Sequence, residues 1–137
     1  MIDRILSQTN AAEKALQGTW LRNEAISQNI ANVDTPGYKR KTVSFEQQLS
    51  DAMDNSSFKG FRTDPRHIPI GGSSVDDVNI NTSEDNSSTS MRLDGNNVDI
   101  DSEMADMAKN SIQYNTLVQG ISDQYKKILS AISEGRK

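Results

Sequence analysis

Residues 29–41 read NIANVDTPGYKRK, and this stretch divides the chain. Thr35-Pro36-Gly37-Tyr38 suits a type II turn, with proline at its second position and glycine at its third. Proline pushes Thr35 out of helical geometry, so a helix arriving from the N-terminal side ends near Val33. Asn32 and Asp34 carry short side chains able to fold back onto nearby amides. Lys39, Arg40 and Lys41 follow at once, a basic cluster facing either an acidic neighbour or water. KTVSFEQQL then alternates briefly, and FEQQLSDAM predicts a short helix through about Met53.

Upstream of the turn, residues 1–33 follow a seven-residue repeat. One line carries Ile2, Thr9, Leu16, Asn23 and Ile30, the other Ile5, Ala12, Thr19, Ile26 and Val33. This is a coiled-coil-like stripe with polar interruptions. At roughly 1.5 Å per residue the helix is about 48 Å long. Gly18 costs it on the order of 1 kcal/mol against alanine and allows a bend. Trp20 lies off the stripe, either against a second neighbour or partly exposed.

The C-terminal residues repeat the pattern more cleanly. One line takes Met104, Ser111, Val118, Tyr125 and Ile132, the other Met107, Tyr114, Ile121, Ile128 and Gly135. Asp99, Asp101, Ser102 and Glu103 supply capping oxygens and negative charge where the helix begins. Lys126, Lys127, Arg136 and Lys137 place positive charge toward its end. Tyr114 and Tyr125 are expected to be buried packing residues.

The middle is different. Residues 56–100 contain no alanine and are rich in Ser, Asn, Asp and Gly. GGSSVDDVNINTSEDNSSTS, from residue 71 to 90, reads as loop-like or disordered through much of its length. Alternation in VDDVNINT and NVDID allows short strands. So little apolar surface cannot cover two long helices. The helices can pack on each other, parallel or antiparallel, yet a hairpin leaves part of each stripe wet. The chain therefore reads as a subunit that completes its core by assembling. The fold class is mainly α: long terminal helices form a coiled-coil-like pair around a small, irregular to β-rich middle. Residues 1–34 and 102–137 are the two assembly helices, and residues 35–101 hold the turn and the polar middle.

Net charge is −4 and uneven, with a balance of −7 over residues 51–103 and +2 over residues 104–137. Three clustered cations are few for a phosphate-binding surface, so nucleic acid is not expected as a partner. There is no cysteine, which excludes disulfides and thiolate metal sites. His67 is the only histidine, too little imidazole for a zinc site or a triad, and reads as an exposed loop residue. Asp94, Asn96, Asp99, Asp101 and Glu103 faintly resemble a calcium loop, but Gly95 falls second in the run and not sixth. The acids read as helix caps, and no cofactor or metal is expected. The N-terminus has no secretory h-region, and no window approaches 18 apolar residues.

Ala31, Asn32, Asp34, Thr35, Pro36, Gly37 and Tyr38 resemble the hallmark of the bacterial flagellar rod, hook and filament-junction family. In that family a helix ends in Ala-Asn-x-(Asn or Asp)-Thr-Pro-Gly-Tyr. The short length, HIPI at 67–70 and LDGNNVDIDSEMADMAKNSIQYN at 93–115 resemble one of its two small proximal rod proteins. The resemblance leaves residues 71–90 unmatched. It implies a structural part of the basal body: exported unfolded without a cleaved signal, polymerising between membrane ring and hook, and transmitting torque without turnover. Its implied partners are further copies, other rod proteins and ring or export-gate components at the rod base, with no lipid anchor and no small-molecule substrate. Subunit contacts would run through Ile2, Ile5, Leu16, Ile26, Ile30, Val33, Met104, Met107, Tyr114, Val118, Ile121, Tyr125, Ile128 and Ile132. The rival readings are a helical adaptor or export chaperone, and a small hydrolase using His67.

Overall fold

The computed structural model describes residues 2–55, 64, 75, 78–85 and 93–134, without the side chains of residues 2–8 and 55. His67, Gly135, Arg136, Lys137 and most of the 71–90 segment lie outside the described residues, as do the Ile2 and Ile5 side chains.

Among the described residues five elements follow in order: α1 (Ile2–Ala31), β1 (Lys41–Val43), α2 (Glu46–Asn55), β2 (Thr82–Glu84) and α3 (Ile100–Glu134). The chain is mainly helical, with the two long helices at its ends. α1 and α3 pack as an antiparallel pair. Successive contacts fix the direction: Thr9 Oγ1 donates to Gln124 Oε1 at 3.3 Å, Asn110 Nδ2 to the Thr19 carbonyl at 2.9 Å, and Asn29 Nδ2 to Glu103 Oε2 at 3.1 Å. Advancing along α1 means retreating along α3. The 35-residue α3 outruns its partner's need for a cover, since its outer face meets nothing else among the described residues.

Asp99 starts α3 as an N-cap, its Oδ1 accepting the Asp101 amide at 3.1 Å and its carbonyl the Glu103 amide at 2.9 Å. Glu103, expected among the capping acids, is instead fully buried against α1. The strands also differ from expectation. Of the two alternating stretches, NVDID forms no strand, and VDDVNINT contributes only its final Thr82 to β2. β1 pairs antiparallel with β2, Thr42 opposite Ser83. The partner of a strand is a long-range matter, and local alternation alone does not choose it.

The apolar centre is small. Ala25, Val43 and Phe45 are buried together, with Ala15, Leu21, Leu49 and Ile80 packed around them. Phe45 lies directly over Gly18, where an added Cβ would sit 2.6 Å from the ring. Gly18 therefore serves as a seat for an aromatic ring more than as a bend. Arg22, one turn further along α1, also covers that ring, its guanidinium carbon 5.0 Å from the centroid. It also donates to the Val43 carbonyl at 3.0 Å and pairs with Glu46 at 2.6 Å, which ties α1 to the start of α2.

Candidate functional site

The turn after α1 is closed by the Tyr38 amide donating to the Thr35 carbonyl at 3.3 Å, with Gly37 at φ +70°. That angle is the left-handed region a type II turn needs at its third residue, and glycine adopts it without strain. The turn is held from the other end of the chain. Asn96 is fully buried, and its Nδ2 donates to the carbonyls of Asn32, Val33 and Thr35 at 2.9–3.0 Å. Its Oδ1 accepts the Val98 amide at 2.8 Å. The Gly37 amide donates to the Asp94 carbonyl at 3.0 Å. One asparagine thus ties together three carbonyls of the turn, of which those of Asn32 and Thr35 also accept the Thr35 and Tyr38 amides.

The loop that supplies Asn96 turns on Gly95, at φ +85°, and lies just before α3. Replacing Asn96 by alanine removes the bonds its amide donates to the turn and the one it accepts from Val98. We expect a loss of about 1–3 kcal/mol in urea unfolding. Amide exchange at Gly37 and Tyr38 should speed up more than exchange within α1.

A second cluster lies under the first. Asn29, fully buried on the last turns of α1, accepts the Lys41 amide at 2.8 Å and donates to the Lys41 carbonyl at 2.8 Å. The Tyr38 hydroxyl also donates to its Oδ1, at 3.4 Å. Arg40 bridges to α3, its Nε on Glu103 and its Nη2 on Asp106 at 2.9 Å. The Arg40 amide meanwhile donates to Asn97 Oδ1 at 2.7 Å. Burial pulls the Arg40 guanidinium down, but hydrogen bonds and charge from Glu103 and Asp106 outweigh it and leave the group above its ordinary pKa. Burial, then the charges of Glu84 and Glu103, push the Tyr38 phenol up.

The three cations after the turn are engaged within the chain. Lys39 Nζ donates to the Gly95 carbonyl at 3.1 Å and Lys41 Nζ to Gln28 Oε1 at 2.9 Å. The choice between an acidic neighbour and water is thus replaced by a third arrangement: they close the turn onto α1, α3 and the loop before α3. The cluster fixes geometry. Among the described residues no group of three or more His, Asp or Glu side chains gathers around a metal-sized space.

The residues of the two expected stripes separate by environment. Ile26 is buried, and Leu16, Ile30, Val33, Met107, Ile121 and Ile128 are half-buried. Met104, Tyr114, Val118, Tyr125 and Ile132 are exposed, so the expected burial of both tyrosines does not hold within one chain. Tyr125 reaches α1 only through its hydroxyl, which donates to Glu13 Oε1 at 3.1 Å. Ala31, Asp34, Thr35, Pro36 and Gly37 are also exposed, with Asn32 and Tyr38 half-buried. Trp20 is exposed, 58% of its surface open.

The face of α3 that meets α1 is largely polar. Glu103, Asn110, Leu117 and Gln124 recur every seven residues, one position before the apolar line. A helix turns about 100° per residue, so one position swings the face by more than a quarter turn. This polar repeat was a legible signal in the sequence, though nothing local marks it as the inner face. Among the described residues Asn110 Oδ1 is buried without a partner, beside a cleft of about 280 Å³ shared by Arg22, Arg40, Lys109 and Glu46.

Fold and site together define a helical-hairpin subunit, latched shut at its turn and open along one apolar helix face. The family model described as "Flagella basal body rod protein" matches residues 10–39, which cover most of α1 and the turn. The flagellar basal body rod protein FlgB of Bacillus subtilis is 35% identical over 90% of this chain and 92% of its own length. That of Borreliella burgdorferi is 35% identical over 79% of this chain and 82% of its own. That of Escherichia coli K12 is 29% identical over 98% and 99%. The chain belongs to the FlgB-type family of flagellar basal body rod proteins, structural components of the bacterial flagellum. No helix among the described residues is long and apolar enough to cross a membrane.

Proposed function

We propose that this chain is a proximal rod subunit that polymerises through its terminal helices and carries torque from motor to hook. It performs no chemical turnover. Residues 1–34 and 102–137 are the assembly segments, residues 35–101 hold the turn and the polar middle, and the turn sets the junction between the first helix and that middle. Its partners are other copies and other rod proteins, with ring or export-gate components at the base.

One observation carries this reading. Met104, Val118, Tyr125, Leu129 and Ile132 form an exposed apolar strip along a helix whose polar side packs against α1. A row of exposed apolar side chains along one helix face, interrupted here at Ser111, marks an interaction surface. Each side chain buried there on assembly contributes about 1.5–3 kcal/mol at best, before association entropy is subtracted. The turn motif of Ala31, Asn32, Asp34, Thr35, Pro36, Gly37 and Tyr38 acts indirectly, by setting the hairpin that presents the strip.

The test uses Val118→Asp, because Ile121 and Ile128 are half-buried beside α1 and their substitution would also disturb the monomer. The variant should keep the far-UV spectrum and unfolding midpoint of the parent. It should fail to co-purify with basal bodies and fail to restore swimming to a strain lacking the gene. Swimming at the parental level would remove the strip from the assembly. A parent chain that stays wholly outside basal bodies would instead support an adaptor.

A further inference from the structure

The chain contains one Asp-Gly pair, Asp94–Gly95, and no Asn-Gly pair. It lies in the loop whose Asn96 holds the turn. Three features there set up chemistry between the two residues. Asp94 is exposed, and its Oδ1 accepts the Asn96 amide at 3.1 Å. The ring closed by that bond contains the Gly95 nitrogen, so the carboxyl is held on the side of the Gly95 amide. The amides of Gly37, Asn96 and Val98 all donate within the latch, but the Gly95 amide donates to nothing among the described residues. Gly95 also lacks the Cβ that would hinder approach to its nitrogen. Apart from its chain neighbours, the nearest heavy atom to that Cβ position is Gly37 Cα, at 3.8 Å. Asp51 and Asp123, by contrast, stand inside helices, where the amide that follows is already hydrogen-bonded.

We propose that Asp94–Gly95 is a site of spontaneous covalent modification, where side chain and following amide close a succinimide that opens to isoaspartate. The Gly95 nitrogen attacks the carboxyl carbon of Asp94 in its acid form. The amide proton and the carboxyl hydroxyl leave together as water. Because nucleophile and electrophile sit on adjacent residues, the step is unimolecular. Water then adds to one of the two imide carbonyls. Addition at the side-chain carbonyl restores aspartate. Addition at the main-chain carbonyl leaves the peptide running through Cβ and Cγ, with the former main-chain carbonyl as a free carboxylate. The backbone gains one carbon, about 1.5 Å of path. Asn96 reaches three turn carbonyls at 2.9–3.0 Å, and the Asp94 carbonyl itself receives the Gly37 amide. A shift of that size takes such bonds beyond hydrogen-bonding distance. Isomerisation of one exposed linkage therefore releases the turn from the loop before α3.

The purified folded chain is aged for weeks at physiological temperature and mapped by peptide chromatography with mass spectrometry. The peptide spanning Asp94 should divide into two peaks of equal mass, with a minor peak lighter by one water. Peptides spanning Asp51 and Asp123 should stay single. Asp94→Ser keeps a side-chain acceptor for the Asn96 amide but removes the electrophile, so its peptide should stay single as well. In the isomerised fraction, amide exchange at Gly37 and Tyr38 should be about tenfold faster than in fresh chain. Aged Asp94→Ser should exchange as it does when fresh. Two outcomes overturn the proposal. A single unchanged Asp94 peptide from the aged chain removes the site. Division of that peptide with exchange at Gly37 unchanged removes its link to the latch.

Discussion

Glu103→Ala should lower the unfolding free energy by about 3–5 kcal/mol, the usual cost of removing one member of a buried ion pair. Glu103 is fully buried and receives Arg40 and Asn29 on its two oxygens. Its removal leaves the Arg40 guanidinium, whose side chain is 28% exposed, with Asp106 alone. Asn29 Nδ2 keeps only the Lys41 carbonyl. Domains of this size are stable by only about 5–15 kcal/mol, so the variant should be close to unfolded at physiological temperature. Urea titration followed by far-UV circular dichroism measures the loss, at one fixed chain concentration because association shifts the midpoint. Glu103→Gln keeps the shape and should lie between parent and alanine. Glu103→Ala with Arg40→Ala should cost less than the sum of the two single substitutions, since the second removes the charge that the first leaves unpaired. A loss below about 1 kcal/mol for Glu103→Ala would mean that the cluster opens to water without consequence.

The second large effect is a change of sign. Phe45→Ala should cost about 3–5 kcal/mol, because the ring is the largest member of a small core. Gly18→Ala in the parent should also destabilise, by about 1–3 kcal/mol, since its Cβ would lie 2.6 Å from that ring and the ring is held by Arg22. With Phe45→Ala already in place the obstruction is gone. Gly18→Ala should then stabilise by about 1 kcal/mol, the ordinary gain of alanine over glycine within a helix. Thermal unfolding of the four chains gives the cycle. If Gly18→Ala has the same sign in both backgrounds, the glycine is not there for the ring.

Much of this protein was readable without coordinates. The two long helices follow from seven-residue periodicity, and α1 ends where Pro36 forbids it to continue, at Ala31 and within two residues of expectation. The short α2 and the polar middle follow from local composition in the same way. Gly37 was marked by its place after proline, and its positive φ is what that place requires. These are local constraints, set by torsion angles and neighbours along the chain, and they survive in any context. The hallmark of the turn also pointed to the family, because a seven-residue match is too long to arise from turn chemistry alone.

The pairing of distant residues was not readable. Asn96 capping a turn some 60 positions away, Phe45 seated on Gly18 and Glu103 beneath Arg40 each join segments whose sequence carries no mark of the other. The orientation of α3 is the sharpest case. Hydrophobic periodicity identifies which side of a helix avoids water, but it does not say whether its own chain or a neighbour provides the cover. Here the polar line of Glu103, Asn110 and Gln124 turns inward and bonds to Asn29, Thr19 and Thr9. The apolar line through Met104, Val118, Tyr125 and Ile132 is left outside, while Met107, Ile121 and Ile128 are half-buried. The sequence by itself determined the helices, the turn and the existence of a surplus apolar face. Only the tertiary structure decided where that face points, since hydrogen-bond partners are fixed by contacts between residues far apart in the chain.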